Sequence, residues 1–478
     1  MAELNKYSKL SRCSDQERQP AVQGSKAKKK RSRPSQRKDP TAGLPPINLN
    51  AAAIDVGSAE HWAAIPPGRA QVAVRRFGCT TEELQQLATW FKEQQIDTVV
   101  MEATGNYWVV LFDLLEEQKL NPVLVNPRYA KNTSGKKGDL IDCVWMQKLH
   151  TFGLFANSFR PAEPIRVLRA YQRQREELVR SAAQAIQHMQ KALTEMNIQL
   201  TNVIADISGE TGLAIIDAIL AGERDFKALA TLRNPRCKSS LSTIAGALRG
   251  YWKAEQLFIL EQARLSYAHY QEQICQCDER IQQQMRTLQS RFPQPPAQTP
   301  TDGPAEKASE AVGFDLSAEL RRVVGVDLTA VDGMGPVTAQ VVLSEVGTDM
   351  SPWPSEKHFA SWLGLCPDHR ISGGRILGRS TRPVVSRARN ALRLAAYTLE
   401  RSESWLGAKY RRLKRKLGAP KAITAMAHHL ARLIYRLIKY GQEYVDKGIE
   451  AYETKYREQR IKWLTKQAQE LNLKLVGA

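Results

Sequence analysis

Apolar residues follow two rhythms along this chain, and the change from one to the other divides it. Between about residue 48 and residue 158 they fall in short runs, AAAID, QVAVRRF, DTVVME and PVLVN, set apart by polar residues and turns. Short runs of this kind predict strands. Among them, EELQQLATWFKEQQ carries apolar residues at helical spacing, and a second helical pattern follows Tyr107. Strands alternating with helices predict an α/β domain over 48–158. From residue 159 the pattern turns to long helices. VLRAYQRQREELVRSAAQAIQHMQKALTEM and WKAEQLFILEQARLSYAHYQEQICQCDERIQQQMRTLQ both show heptad-like apolar positions with Gln and Arg between them. They predict a helical, coiled-coil region over 159–292: either two helices packed within one subunit, or an antiparallel arm that dimerises or clamps nucleic acid. A Pro/Ala/Thr-rich stretch from 293 to 317 reads as a linker. Residues 318–478 read as a mainly α domain, and 1–47, with KAKKKRSRPSQRKD, as a disordered basic tail.

Composition sharpens this picture at one point, the location of charge. The net charge is +20 over 478 residues. Residues 1–47 hold 12 Lys/Arg against 4 Asp/Glu, and residues 366–440 hold 18 against 3. Together these two regions exceed the whole-chain excess, so the remainder is slightly acidic. Concentrated basic regions of this kind point to a polyanion, and nucleic acid fits better than a membrane surface because no amphipathic anchor accompanies them. No apolar stretch reaches the length of a membrane span, and a cytoplasmic location is expected. The 7 cysteines are scattered and odd in number, which fits reduced thiols. Cys275 and Cys277 lack a second Cys or His pair to complete a zinc site.

Four acids carry the first candidate chemistry. Asp55 ends one apolar run and Glu102 another, while Asp139 and Asp142 open the helical pattern GDLIDCVWMQKLH. The i, i+3 spacing puts Asp139 and Asp142 on one helix face, roughly 5–6 Å apart at Cβ. Like charges about 4 Å apart repel by roughly 4 kcal/mol at an effective dielectric of about 20. A divalent cation removes that conflict, and Mg²⁺ held by a few carboxylates serves phosphodiester chemistry. The plainer reading makes each an ordinary surface acid at a strand end or helix start.

The second constellation lies near the C-terminus. In VDGMGPVTAQVVLSEVG, Gly333 and Gly335 sit in a turn before a helix, where backbone N–H groups can take a phosphate as in helix-hairpin-helix DNA binders. In LGLCPDHRISGGRILGRSTRPVVSRARNALR, Ser372 precedes two glycines, so its hydroxyl is expected on an exposed turn that another backbone can approach. Arg375, Arg379, Arg382, Arg387, Arg389 and Arg393 surround it in sequence. Arginine forks bind phosphate bidentately, and positive charge stabilises an attacking alkoxide and the phosphorus it attacks. The alternative is a serine that positions DNA phosphates without a covalent role. His428 and His429 fall inside an amphipathic helical pattern and read as a partly buried pair rather than as ligands or bases.

These motifs, in the order IDVGS, MEATGNYW, NPRYAKNTSGKKGDLIDCVWMQKLHTFGL, LTAVDGMGP, FASWLGLCPDHRISGG, RNALR and GAPKAITAMAHHLARLIY, resemble the DEDD transposases of bacterial insertion sequences over roughly residues 48–450. The resemblance implies an α/β RuvC-like (RNase H-like) N-terminal domain, a coiled-coil middle and a C-terminal transposase domain with a helix-hairpin-helix-like element. It implies that Asp55, Glu102, Asp139 and Asp142 bind Mg²⁺ or Mn²⁺, and that Ser372 is a nucleophile forming a phosphoserine link to DNA. It further implies donor and target double-stranded DNA as partners, a noncoding bridge RNA as guide, dimers assembling into a tetramer, and a bacterial, nucleoid-associated location. One departure stands out: members often carry Gly-Asn where this chain has Arg389-Asn390.

Three other functions follow from the same residues. A metal-dependent Holliday-junction nuclease would use the four acids to activate water and Ser372 only as a phosphate contact. A non-enzymatic RNA- or DNA-binding scaffold would keep the fold without the chemistry. A sugar-kinase-like ATPase is suggested by the Asp-x-Gly at Asp55–Gly57, but neither adenosine-loop glycines nor a GxxxxGK[ST] loop is present.

Overall fold

The structure is a computed structural model and describes residues 41, 43–127, 138–289, 314–441, 448–470 and 473. The expected basic tail up to residue 40 and residues 293–313 of the expected linker, 293–317, lie outside the described residues. The chain divides into two compact units, 1–158 and 159–478.

The first unit is built on a five-stranded mixed sheet in the order β3-β2-β1-β4-β5. Its strands are β1 (Ala51–Val56), β2 (Glu60–Ala64), β3 (Val74–Gly78), β4 (Thr98–Glu102) and β5 (Pro122–Val125). β1, β4 and β5 run parallel, while β2 and β3 are added antiparallel as hairpins. Parallel central strands must be covered on both faces, and the sequence of β1 shows how. Ala52, Ile54 and Val56 point to one face, where α1 (Thr81–Glu93) and α2 (Trp108–Glu117) bury Leu87, Phe91, Leu111 and Leu115. Ala53 points to the other, joining Val100, Val125 and Cys143 and Met146 of α3 (Asp139–Thr151). Thr80 caps α1 in a capping box with Glu83. The sequence pattern misses β2, EHWAA: polar Glu60 and His61 break its apolar run, yet pairing to β1 buries His61 to 2% exposure.

The second unit is mostly helical. The two long helices expected from the heptad-like pattern are α4 (Glu163–Glu195) and α8 (Ala254–Thr287). They pack along each other antiparallel, since Pro164 meets Gln284 and Arg175 meets Asp278. Between them in sequence, α5 (Glu210–Leu220), α6 (Phe226–Thr231) and α7 (Leu241–Ala247) close a core around Met189, Leu193, Ile215, Ile219, Ile244 and Leu260 at one end of the pair. At the other end Leu168, Ile281 and Met285 enter the core of the C-terminal helices. These are α9 (Leu316–Val324), α10 (Pro336–Val346), α11 (Glu356–Trp362), α12 (Arg387–Thr398), α13 (Trp405–Leu417), α14 (Ala419–Tyr440) and α15 (Gly448–Glu470). α9, a turn and α10 give the expected helix–turn–helix around Gly333 and Gly335. Among the described residues no helix is long and apolar enough to cross a membrane.

An element the helical reading of this region omits is a two-stranded antiparallel hairpin, β6 (Pro367–Ser372) and β7 (Arg375–Thr381). Gly373 and Gly374 join the strands with φ +54° and +75°. A two-residue turn with both φ values positive matches the right-handed twist of the strands it joins, and glycine takes that conformation without steric penalty. The Ser-Gly-Gly sequence therefore encodes a hairpin turn.

Candidate active site and nucleic-acid interface

In the first unit, strand register brings two of the four acids level. Ile54 pairs with Met101 across the parallel β1–β4 ladder, so the next residues, Asp55 and Glu102, stand side by side at the C-terminal ends of their strands. Alternation along each strand puts Asp55 on the face of Ala53 and Glu102 on the face of Val100, the face covered by α3. α3 is fixed there by side-chain bonds to β1 and β2. Cys143 Sγ donates to Ala53 O at 3.5 Å and Trp62 O at 3.0 Å, and Gln147 Nε2 donates to Ala51 O at 3.0 Å. As α3 advances, its contacts thus move back along β1. Its first turn, with Asp139 and Asp142, accordingly lies at the end of the sheet that carries Asp55 and Glu102.

The environments of the four differ. Glu102 is 6% exposed, and Thr104 Oγ1 donates to its Oε1 at 3.0 Å. Asp55 is half-buried, and Asp139 and Asp142 are exposed in the first turn of α3. Burial, with the Asp55 charge adding to it, pushes the Cys143 thiol up to about 12, so Cys143 is a packing residue. As donors the four carboxylates suit a hard divalent cation. They gather at one sheet end, yet among the described residues no three His, Cys, Asp or Glu side chains converge closely enough to hold a metal ion. The segment that leads into Asp139, residues 128–137, lies outside the described residues.

In the second unit, Ser372 is the last residue of β6, exposed, with Arg375 as its register partner across the turn. The six arginines separate into two groups. Arg375 and Arg393 are exposed and able to meet a phosphate. Arg382, Arg387 and Arg389 are engaged by the fold. Arg382 Nη2 donates to Ser361 O and Oγ at 2.6 and 2.8 Å. Arg389 donates to Val384 O at 3.1 Å and Thr381 Oγ1 at 3.3 Å, which fastens the end of β7 to α12. That fastening gives the Arg389-Asn390 departure a structural role. Arg387 pairs with Glu176 and, at 3.1 Å, with Glu177 on α4. Nothing is described of the Arg379 side chain.

The glycines separate as well. Gly333 has φ +82°, and a Cβ there would stand 2.5 Å from Ala395 O, so this glycine is required by close packing on α12. Gly335 is the N-cap of α10 in extended conformation with open space around it, the one of the two that a phosphate could approach. His429 accepts no metal-like company: its Nδ1 lies 3.2 Å from Lys409 Nζ, its ring meets Trp405 edge-on, and burial takes it down to about 3. His428 is likewise partly buried and lowered by burial.

The sequence pattern points to Arg393 but not to Leu394 and Tyr397, which complete an exposed stripe after the hairpin. Asn390, Arg393, Leu394 and Tyr397 of α12 are all exposed at helical spacing, a basic and aromatic face of the kind that meets nucleic acid. The signal was present as an apolar pair, Leu394 and Tyr397, on the face opposite Leu392 and Ala396.

A search of the curated proteins found no match to this chain. Residues 52–198 match a family model described as a transposase, DEDD_Tnp_IS110. Residues 327–411, which include Ser372 and the arginines around it, match the transposase IS116/IS110/IS902 family. The chain therefore carries IS110-family transposase domains, one spanning the acid-bearing sheet and the other the serine-bearing hairpin.

Proposed function

We propose that this chain is an insertion-sequence transposase that exchanges DNA strands through a covalent link to Ser372. The observation that carries the reading is the place of that serine. Its hydroxyl stands exposed at the tip of a hairpin, beside a Gly-Gly turn and opposite Arg375, inside the segment that matches a transposase family. In the reaction the Ser372 oxygen attacks a DNA phosphorus and a phosphoserine ester forms. The deoxyribose oxygen leaves with the proton that the serine gives up. Attack by the hydroxyl of a different strand then reverses the step and releases the serine. The phosphodiester energy is kept in the ester, which explains why no nucleotide-hydrolysing loop is required. Arg375 and Arg393, both exposed, would balance charge on the phosphoryl group.

Asp55, Glu102, Asp139 and Asp142 are the residues that would hold Mg²⁺ or Mn²⁺, which supplies charge neutralisation for the phosphodiester when bound. Support for this comes from the shared sheet end, the shared face and the all-oxygen donor set. The reading extends, through the family resemblance, to a bridge RNA that pairs with donor and target DNA and to a tetramer built from dimers. The basic regions give such nucleic acids an electrostatic footing.

The test is to incubate the protein and its co-purified RNA with labelled donor and target DNA and Mg²⁺, quench in denaturant, and map peptides. The expected result is a DNA adduct on Ser372, absent in Ser372→Ala along with all strand exchange. A second reading is favoured by the level placement of Asp55 and Glu102 on adjacent parallel strands, which also suits a metal-dependent nuclease of the Holliday-junction-resolving type. Free cleaved ends, no adduct and full cleavage by Ser372→Ala would establish that reading instead.

A further inference from the structure

The tip of the β6–β7 hairpin carries, besides Ser372, an apolar surface that phosphoryl chemistry does not require. Ile371, Ile376 and Leu377 are 63%, 45% and 71% exposed. A lone two-stranded hairpin is barely stable in water, and aliphatic side chains left in solvent at its tip add nothing to that stability. The root is held by Arg382 on Ser361 and by Arg389 on Thr381, so the tip can stay bare without the hairpin being lost. An apolar cluster kept bare beside a candidate nucleophile reads as contact surface.

Register fixes what these residues can reach. Ser372 pairs with Arg375, and Ile371 with Ile376. Successive residues alternate between faces, so the serine and Arg375 share one face of the ribbon and the two isoleucines share the other. Arg370 then pairs with Gly378, which leaves Leu377 as the extra residue of a bulge beside Ile376. Bulges re-aim a side chain and are frequent next to active sites. A phosphate held at Ser372 therefore stands only the thickness of the ribbon away from an aliphatic cluster. No acid occurs between His369 and Leu399, and Arg375 and Arg393 are exposed, so the charge of this segment complements a polyanion.

Base-pair edges in a groove present mainly hydrogen-bonding groups, to which aliphatic side chains offer nothing. The apolar surface of DNA is the faces of its bases, and these become accessible only where a step is unstacked, as by apolar side chains inserted between bases. We propose that Ile371, Ile376 and Leu377 form a wedge that enters the base stack next to the phosphate attacked by Ser372 and opens the duplex there. Strand exchange needs such an opening, because a cut strand must leave its partner before it can join another. The proposal rests on the reading of Ser372 as the nucleophile, and adds to it the part that separates the strands.

The test uses the full-length protein with its co-purified RNA, and a variant carrying Ile371→Ser together with Leu377→Ser. Donor and target DNA are either fully paired or mismatched at the attacked step, which adduct mapping with the parent locates. Both substituted positions are exposed, so the unfolding midpoint should stay where it is. On paired DNA the initial rate of Ser372 adduct formation should fall about tenfold, the factor that burial of one aliphatic side chain supplies. On mismatched DNA, opened beforehand, variant and parent should react alike. With Ser372→Ala protein, 2-aminopurine beside the attacked phosphate should brighten on binding, and stay dim when the two serine substitutions are added. An equal loss on paired and mismatched DNA, or no loss on either, would overturn the wedge and leave the serine reading standing. A fall in assembly mass by light scattering in the variant would overturn it too, assigning the apolar tip to a second copy of the chain. No adduct from the parent on either DNA would sink the serine reading and the wedge together.

Discussion

Replacing Gly333 and Gly335 singly by alanine tests whether this turn is held by packing or kept for a phosphate. At 333 two costs add. The backbone has φ +82°, a conformation that costs a residue with a Cβ about 1–2 kcal/mol. The new methyl would also stand 2.5 Å from Ala395 O and 3.1 Å from Thr398 Oγ1. The first of these is main chain and cannot swing aside, and relieving such overpacking costs about 1–3 kcal/mol. Losing conformational freedom in the unfolded chain returns about 0.4–1 kcal/mol, which leaves a net destabilisation of about 2–3 kcal/mol. At 335 the backbone is extended, φ −69° and ψ 163°, and nothing lies within 4 Å of the new carbon. There the change in stability should stay within about 1 kcal/mol, because the poorer N-cap offsets the unfolded-state gain. Hydrogen exchange of α12 amides reads the difference locally, with exchange in Gly333→Ala faster by roughly 30- to 150-fold at tenfold per 1.4 kcal/mol. DNA binding should fall in Gly335→Ala, whose methyl obstructs the approach of a phosphate, with α12 exchange unchanged. Wild-type exchange in Gly333→Ala would refute the packing account, and equal effects of both substitutions would refute the division of roles.

Other expectations follow from buried polar groups. Arg175 and Asp278 form a two-bond ion pair at 2.6 and 3.1 Å between α4 and α8, with side chains 9% and 6% exposed. Removing either partner alone should destabilise the second unit by about 3–5 kcal/mol, whereas Arg175→Met with Asp278→Leu should come within a few kcal/mol of the parent in urea titrations. Gln172 and Gln340, 2% and 0% exposed, each carry a side-chain amide without a hydrogen-bond partner among the described residues. Gln340→Leu should therefore raise thermal stability, by up to about 1–3 kcal/mol, as read by the unfolding midpoint. Burial lowers His150 from 6.5 to about 4 and His429 from 6.5 to about 3. Both bind their proton more weakly folded than unfolded, so their contribution is complete above pH 6.5 and is lost as pH falls toward the folded values. Both units should lose stability between about pH 6.5 and 4, followed by thermal unfolding at each pH, and His150→Gln should flatten that dependence in the first unit.

Local pattern made much of this protein legible. Strands are read from short apolar runs because alternate residues face opposite sides of a sheet, and Asp55 and Glu102 are visible as acids placed where two such runs end. The long helices α4 and α8 follow from apolar spacing sustained over many turns, and Ser-Gly-Gly marks a tight turn because only glycine takes two positive φ values cheaply. What local pattern could not supply is the partner of a side chain far away in sequence. Arg387 and Arg375 look alike in the string, but Arg387 meets Glu176 and Glu177 across more than two hundred residues while Arg375 stays exposed. Gly333 and Gly335 are two residues apart, and only the closeness of Ala395 tells them apart. The strand β2 and the hairpin β6–β7 form through pairing, which fixes register between segments whose own apolar content is slight. Periodicity reports which face of an element is buried. The identity of what covers that face, and hence which charges remain for a nucleic acid, is settled by long-range packing alone.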